Sequence, residues 1–586
     1  MLRPARAKGY NSAMEKSTSD IRETIEIAWG KRRVDLLLRN ARVINTFSGD
    51  VHKSDVAVHK GRIVGFGAYK AKKSLDLRGS YLSPGFIDGH VHLESSMVKI
   101  PELGRIVVPR GTTTAVVDPH EIANVLGLDG IRYMLSSSLG GVLGVYVMLP
   151  SCVPATHLET AGAELSGHDL SLLLNDERVL GLAEMMNYPA VVGCHPGVLE
   201  KIAIARGKRI DGHAPMIRGK DLYAYVSAGI KSDHECTTVA EAREKLRAGM
   251  FIMIREGTAA KNLKALLPLV NSENSRKCIF VTDDRHLEDI FSQGHMDHLV
   301  RSAIRLGVDP IRAIQMASIN TAEYFGLKDL GAVAPGYRAD LLVFDDFRRL
   351  RIRQVIKDGK LVAVDGALLP SAVTDYKGKV RGTINVRWIE YEDFAIKAEG
   401  RQARVIEIVP QQIVTRSLTC PVRTDGGFVV CDTARDVLKI AVIERHMASG
   451  RVAKGLVKGF GLKKGAIASS ISHDSHNIVV IGVDDGDMYT AAVQVVKMQG
   501  GIVAAADGQV LEALPLPIAG LMSDRSAEFV RDKLQRLIRV ARGLGSRLDD
   551  PYMAMSFLTL PPIPELKITD RGLIDAVNFK VVPLFV

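Results

Sequence analysis

Two histidines one residue apart, His90 and His92, stand in the run Pro84-Gly85-Phe86-Ile87-Asp88-Gly89-His90-Val91-His92-Leu93-Glu94-Ser95-Ser96. Phe86, Ile87 and Val91 are strand formers, and Pro84-Gly85 marks the turn that starts the run. Side chains two apart on a strand share a face, so both imidazoles project together. Two imidazoles on one face at a strand end are part of a metal chelate. A bare His-x-His reads more simply as two half-buried histidines beside a turn. The metal reading needs further ligands downstream.

Beyond His92, strand-like and helix-like patterns alternate, as a parallel βα barrel requires. The later strands are expected at 113–118, 142–148, 179–184, 209–213, 230–234, 251–254 and 278–283, which makes eight. Asp118, Glu184, His213, His234 and Asp283 fall at their C-terminal ends, where barrel active sites form. The metal candidates are His90, His92, Glu184, His213, His234 and an aspartate of Asp283-Asp284. Imidazoles and carboxylates suit zinc, manganese or iron, and the absence of thiolates argues against a structural zinc knot. Any one of these histidines reads equally well as a satisfied buried residue. Ligand types ending the first, fourth, fifth, sixth and eighth strands are harder to call coincidence.

At 586 residues the chain is too long for one core and should form two or three domains. Its net charge of +11 comes from scattered lysines and arginines with no aromatic-rich basic motif, which argues against a nucleic-acid binder. Six cysteines lie far apart without a C-x-x-C pair, which suits a reducing cytoplasm. Residues 1–33 lack the apolar core of a secretory signal, and no apolar run approaches the ~20 residues of a membrane helix. A cytoplasmic protein without membrane partners is expected, with a homodimer as the commonest soluble assembly.

The remaining elements frame the barrel. A polar tail (1–19) precedes a short helix from Asp20 to Trp29, and short strands follow at 34–38, 42–45, 56–58 and 63–66. A helix is expected from Asp309-Pro310 through Phe325. Beyond residue 385 the pattern reads as mixed α/β. A strand is expected at 405–409, a helix near 436–447, strands at 478–483 and 491–498, and a helix at 525–543.

The P-G-F-I-D-G-H-V-H run resembles the first-strand signature of the amidohydrolase superfamily, whose members hold one or two metals in a TIM barrel. Within it, H-V-H-L-E-S-S, V-V-D-P-H-E (116–121), A-E-M-M-N (183–187), D-G-H-A-P (211–215) and T-D-D-R-H (282–286) together resemble the adenine deaminase family. So do S-H-D-S-H-N (472–477) and L-P-I-A-G-L-M-S-D (516–524), so the resemblance spans nearly the whole chain after residue 30. It implies an α/β fold: a (β/α)8 TIM barrel (83–330), a small discontinuous β-sandwich (32–82 with 331–380) and an additional C-terminal α/β domain (385–586), preceded by a tail and short helix (1–31).

The resemblance also implies a reaction, hydrolytic deamination of adenine to hypoxanthine and ammonia, with a metal-bridging hydroxide attacking C6. Binuclear amidohydrolases usually carry a carboxylated lysine on strand four, where this chain has Glu184, whose two oxygens could bridge two cations unmodified. The expected cofactor is then two divalent ions, manganese or ferrous iron, with zinc also accepted by such ligands. His90, His92 and the aspartate take one ion, and His213 and His234 the other. A single ion with Glu184 outside its ligand shell is the competing count.

By analogy with the T-D-D of adenosine deaminase, Asp283 is ligand and proton shuttle and Asp284 binds the purine, though the order of the two could be reversed. Attack at C6 requires an acid at N1. Related deaminases place a glutamate in H-x-x-E after strand five, but here the run is His213-Ala214-Pro215-Met216. Glu235 is the first replacement candidate and Glu121 the second. Asp118 and His120 are candidate substrate contacts or loop-capping residues. The 472–477 cluster reads most simply as a polar turn, with a further metal site, a lid or an interface loop as alternatives. A dihydroorotase-like cyclic-amide hydrolase and a metal-free binding protein are the competing functions.

Overall fold

The structure, a computed structural model, describes residues 18–370, 380–409 and 412–586. The polar tail expected at 1–19 lies almost wholly outside them, as do nine residues near the end of the expected sandwich segment. Eight parallel strands follow one another as the sequence pattern requires. They are Phe86–Val91, Thr112–Val117, Gly144–Leu149, Val179–Met185, Arg209–Gly212, Ser232–Asp233, Phe251–Arg255 and Cys278–Val281. The first five form one sheet and the last three another. Backbone bonds tie the sheets at both edges: Lys231 N–H to Ile210 O at 3.0 Å, and Asp283 N–H to His90 O at 2.9 Å. The arrangement is TIM-barrel-like.

Alternation along these strands sorts their side chains. Ile87, Val116, Met148, Ala183, Met253, Ile279 and Val281 converge on one interior cluster, closed by Tyr324 and Phe325. Phe86, Ala115, Val117 and Phe280, on the other faces, pack against the surrounding helices. Each large apolar side chain so buried contributes ~1.5–3 kcal/mol. That core fixes the strands whose C-terminal ends carry the polar residues.

Strands from both flanks of the barrel segment share one nine-stranded sheet. The joint is antiparallel pairing of Leu341–Phe344 with Tyr81–Pro84, which connects Val34–Asn45 and its neighbours to Ile352–Lys357 and Lys360–Val364. The C-terminal part is built on a separate eight-stranded sheet. The helix Asp485–Lys497 packs Met488, Ala491, Ala492 and Val495 on one of its faces. The helix Ala527–Gly543 buries Val530, Leu534, Leu537 and Ala541 in the main core.

Three expectations fail here. The segment 436–447 is not a helix: Val437–Ile443 is a fully buried strand paired on both sides. A continuous apolar run does not separate buried strand from buried helix. Residues 491–498 are not a strand: Asp484 caps the helix Asp485–Lys497 by accepting from Asp487 N–H. The single helix expected over 310–325 is two, Pro310–Met316 and Ile319–Phe325, broken at Ala317-Ser318.

Candidate active site

Three aspartates set the histidines in place. Asp88, two residues before His90, accepts the backbone N–H and hydroxyl of Thr282, tying the first strand to the eighth. Asp211, two before His213, accepts from Ser232 Oγ at 2.9 Å and Tyr324 OH at 2.6 Å. Asp233, beside His234, accepts from Lys245 Nζ at 2.8 Å and Ala214 N–H at 2.9 Å. Asp283 turns out of the last strand with φ of +59°, a left-handed conformation that aspartate tolerates better than most residues, next to the functional cluster.

The result is an arc of five imidazoles in mutual contact, in the order His120, His92, His90, His234, His213. Neighbouring ring centroids are 4.6, 4.8, 4.3 and 5.1 Å apart. Glu184, only 3% exposed, lies inside the arc. Its Oε1 is 3.3 Å from both His92 Nε2 and His120 Nδ1. Its Oε2 is 2.7 Å from His213 Nδ1 and 3.1 Å from His234 Nε2. Asp283 Oδ1 lies 3.2 Å from His90 Nε2 and 3.1 Å from His92 Nε2. Asp284 points elsewhere, to Ser95 Oγ.

These side chains fit a divalent cation by the state of their lone pairs. The Nδ1–H of His92 donates to the Asp118 carbonyl at 3.1 Å, which leaves the Nε2 lone pair facing the carboxylates. His234 Nδ1 is buried without a hydrogen-bond partner among the described residues, and His90 Nε2 has the Asp283 carboxylate at 3.2 Å but not in hydrogen-bond geometry. His213 Nδ1 and His234 Nε2 approach to 3.2 Å. Burial alone would raise the Glu184 carboxyl, but the His213 hydrogen bond and the surrounding imidazoles hold it well below the usual range. For Asp283, too, burial raises, and Arg255 with His90 and His92 overrides it. Anionic carboxylates facing convergent imidazole nitrogens are a donor set for zinc, manganese or iron.

The two candidate acids meet opposite surroundings. Glu235, expected first, is gripped by both terminal nitrogens of Arg255, one of them at 3.0 Å. Burial opposes ionisation there, yet the guanidinium dominates and lowers the carboxyl. An anion held by arginine is poorly suited to donate a proton, which weighs against Glu235 as the acid at N1. Glu121 is 2% exposed, and burial, then the neighbouring Glu94 and Asp284, push its carboxyl well up. Ser95 Oγ lies 3.3 Å from Glu121 Oε1 and also reaches Asp284. Burial raises Glu94 as well, to about 7.

Asp118 and His120 are both buried at the end of the second strand, 3.1 Å apart, and His120 turns inward to Glu184. The sequence reading missed Arg255, Glu94 and Ser95, since none stands in a ligand pattern. It also left the 472–477 loop without a role. That loop is buried at the barrel mouth, with Asp474 Oδ1 3.6 Å from His120 Nε2 and His473 Nδ1 3.5 Å from Glu121 Oε1. The 516–524 motif docks alongside, Ser523 N–H donating to Met97 O at 2.7 Å.

Comparison with known proteins matches residues 81–362 to the amidohydrolase family and 412–580 to the adenine deaminase C-terminal domain. Adenine deaminase 2 of Carboxydothermus hydrogenoformans is 52% identical over 96% of this chain and 99% of its own length. Adenine deaminases of Desulfatibacillum aliphaticivorans and Methanothrix thermoacetophila are 50% and 49% identical at the same coverage of both chains. No described helix is long and apolar enough to cross a membrane.

Proposed function

The chain belongs to the adenine deaminase family of amidohydrolases, and on that premise we propose that it hydrolyses adenine to hypoxanthine and ammonia at this site. The observation that carries the reading is a Glu184-centred donor set beside a separate group of carboxylates at Ser95. His90, His92 and Asp283 would hold one divalent ion and His213 with His234 a second, with Glu184 offering one oxygen to each side. When bound, such ions acidify water and so supply a nucleophile at neutral pH.

The chain's own groups manage the protons. Asp283, anionic and facing the histidines, accepts the nucleophile's proton and hands it to the departing amino group as ammonia. Glu121 is the acid at N1, because burial and the neighbouring Glu94 and Asp284 raise its carboxyl towards the protonated form. Asp284, on the other side of Ser95, faces the imidazole edge of the purine, and Asp118 stands beside His120. Glu235 holds Arg255 against Asp283, whose Oδ2 lies 2.8 Å from that guanidinium. A division into 83–330, 32–82 with 331–380, and 385–586 is supported by the nine-stranded sheet that joins both flanks of the barrel segment and by the separate eight-stranded sheet of the C-terminal part.

The direct test is ammonia release from a panel of purines and dihydropyrimidines, using chelator-treated protein with manganese, ferrous iron or zinc added back. Metal-dependent release from adenine is expected. Turnover of a dihydropyrimidine in its place would overturn the reading.

A further inference from the structure

The 472–477 loop belongs to the C-terminal sheet, joining Ala466–Ser469 to Ile478–Gly482, yet it closes against the barrel. Its residues are all buried. Ser472 Oγ donates to Asn477 O, and Asn477 Nδ2 donates to Thr160 O of the barrel at 2.9 Å, so both ends are fixed. Arg445, itself buried, donates to the carbonyls of His476 and Ala519 and holds the loop from behind. Asp474 is thus rigidly placed, and it presents one oxygen to His120 and leaves Oδ2 without a partner among the described residues.

His120 has carboxylates at both ring nitrogens. Nδ1 faces Glu184 Oε1 at 3.3 Å and Asp118 Oδ2 at 3.1 Å, while Nε2 faces Asp474 Oδ1 at 3.6 Å. The His92 and His120 nitrogens stand about Glu184 Oε1 much as His213 and His234 stand about Oε2. Ligand atoms of His92, Asp118, His120 and Glu184 all lie within 4.8 Å of one another, all four residues buried. In this structure the His120 hydrogen bond is at Nδ1, to Asp118 at 3.1 Å, and Asp474 stands at an ion-pair distance of 3.6 Å from Nε2. A histidine that offers one nitrogen to a cation and the other, as N–H, to a carboxylate is fixed in tautomer and orientation.

We propose that His120 is a cation-holding residue on the His92 side of Glu184, and that Asp474, reaching in from the C-terminal domain, is the positioning residue that orients it. The C-terminal domain thereby controls retention of the ion on that side, while His213 and His234 hold theirs from the barrel alone. The inference rests on the two-ion reading above, so wild-type stoichiometry is measured first; fewer than two ions there would count against that reading.

The test is metal affinity, measured by chelator competition on full-length protein loaded with manganese, and read again in the visible spectrum after cobalt substitution. Asp474→Asn keeps size and folding contacts, and it should weaken one of the two ions ~10–100-fold, as removal of an outer partner of a ligating histidine does. His120→Gln should weaken the same ion and change the cobalt spectrum. The double variant should be little worse than His120→Gln alone, since the aspartate acts through the histidine. Two ions retained at wild-type affinity in Asp474→Asn, or additive losses in the double variant, would overturn the proposal. So would unchanged binding in His120→Gln, which keeps the test decisive should the loop variant fold poorly.

Discussion

Glu235 and Glu121 are buried glutamates at one barrel mouth, and their surroundings shift their carboxyls in opposite directions. Glu235 has a guanidinium against it, and Arg255 in turn touches Asp283, so this side is a charge-balanced clamp. Glu121 has Glu94 and Asp284 near it as well as His473 at 3.5 Å, and burial with the two carboxyls outweighs the imidazoles, so its carboxyl is raised. On the function proposed above, the same side chain is a structural anion in one place and a proton donor in the other. Position at a strand end does not assign a role; the partner does.

The largest effect should come from Glu184, which both sides depend on. Glu184→Gln removes the anion facing four imidazoles, and metal analysis should find at least one ion lost together with detectable turnover. Full metal content with near-normal kcat would remove Glu184 from the centre of the site. Next comes the contrast itself. Glu121→Gln should retain metal and lower kcat by ~10²–10⁴, the range for a lost acid–base group. Glu235→Gln should instead act on stability. It leaves Arg255 partly uncompensated at a cost of about 3–5 kcal/mol, towards the lower figure because Asp283 remains, and a thermal melt reads it. A kcat collapse in Glu235→Gln with unchanged stability and metal content would reverse the assignment.

The pH dependence separates the two glutamates with defined signs. Glu235 is lowered in the folded chain, so its contribution to stability is present above the unfolded value of 4.5 and lost as pH falls through the lowered one. Glu121 is raised, so it is a protonated acid below its folded value and kcat falls as pH rises through it. The alkaline limb of kcat should vanish in Glu121→Gln and persist in Glu235→Gln. A limb unchanged in both would place the acid elsewhere.

What the sequence made legible follows from what repeats. The eight barrel strands alternate with helices, and their ends carry His90, His92, Glu184, His213, His234 and Asp283. Periodicity and ligand type together exposed the histidines, Glu184 and an aspartate of the Asp283-Asp284 pair, and the resemblance alone favoured Asp283. Arg255 was invisible because its partner Glu235 is 20 positions away and comes near only when adjacent strands align. Asp474 was invisible for a stronger reason: the contact with His120 joins segments more than 350 residues apart. The C-terminal secondary structure failed where burial erased periodicity, at Val437–Ile443, and where a cap aspartate was overlooked, at Asp484.

The smallest expected effect tests which way a proton points on the acidic side. Ser95 has one hydroxyl proton and two carboxyl neighbours, Glu121 Oε1 at 3.3 Å and Asp284 Oδ1 closer. That proton cannot serve both. If it goes to Asp284, the contact with Glu121 is filled by the carboxyl's own O–H, with the serine oxygen accepting. A hydrogen bond made by the protonated form favours that form, so the serine helps keep Glu121 protonated. Ser95→Ala removes the acceptor, and the alkaline limb of kcat should move to lower pH by less than about one unit, each unit being ~1.36 kcal/mol. Metal content should not change, because Ser95 touches none of the imidazoles in the arc. A shift to higher pH would mean that the hydroxyl donates to an ionised Glu121, and would make Glu94, raised to about 7 by burial, the next acid to replace.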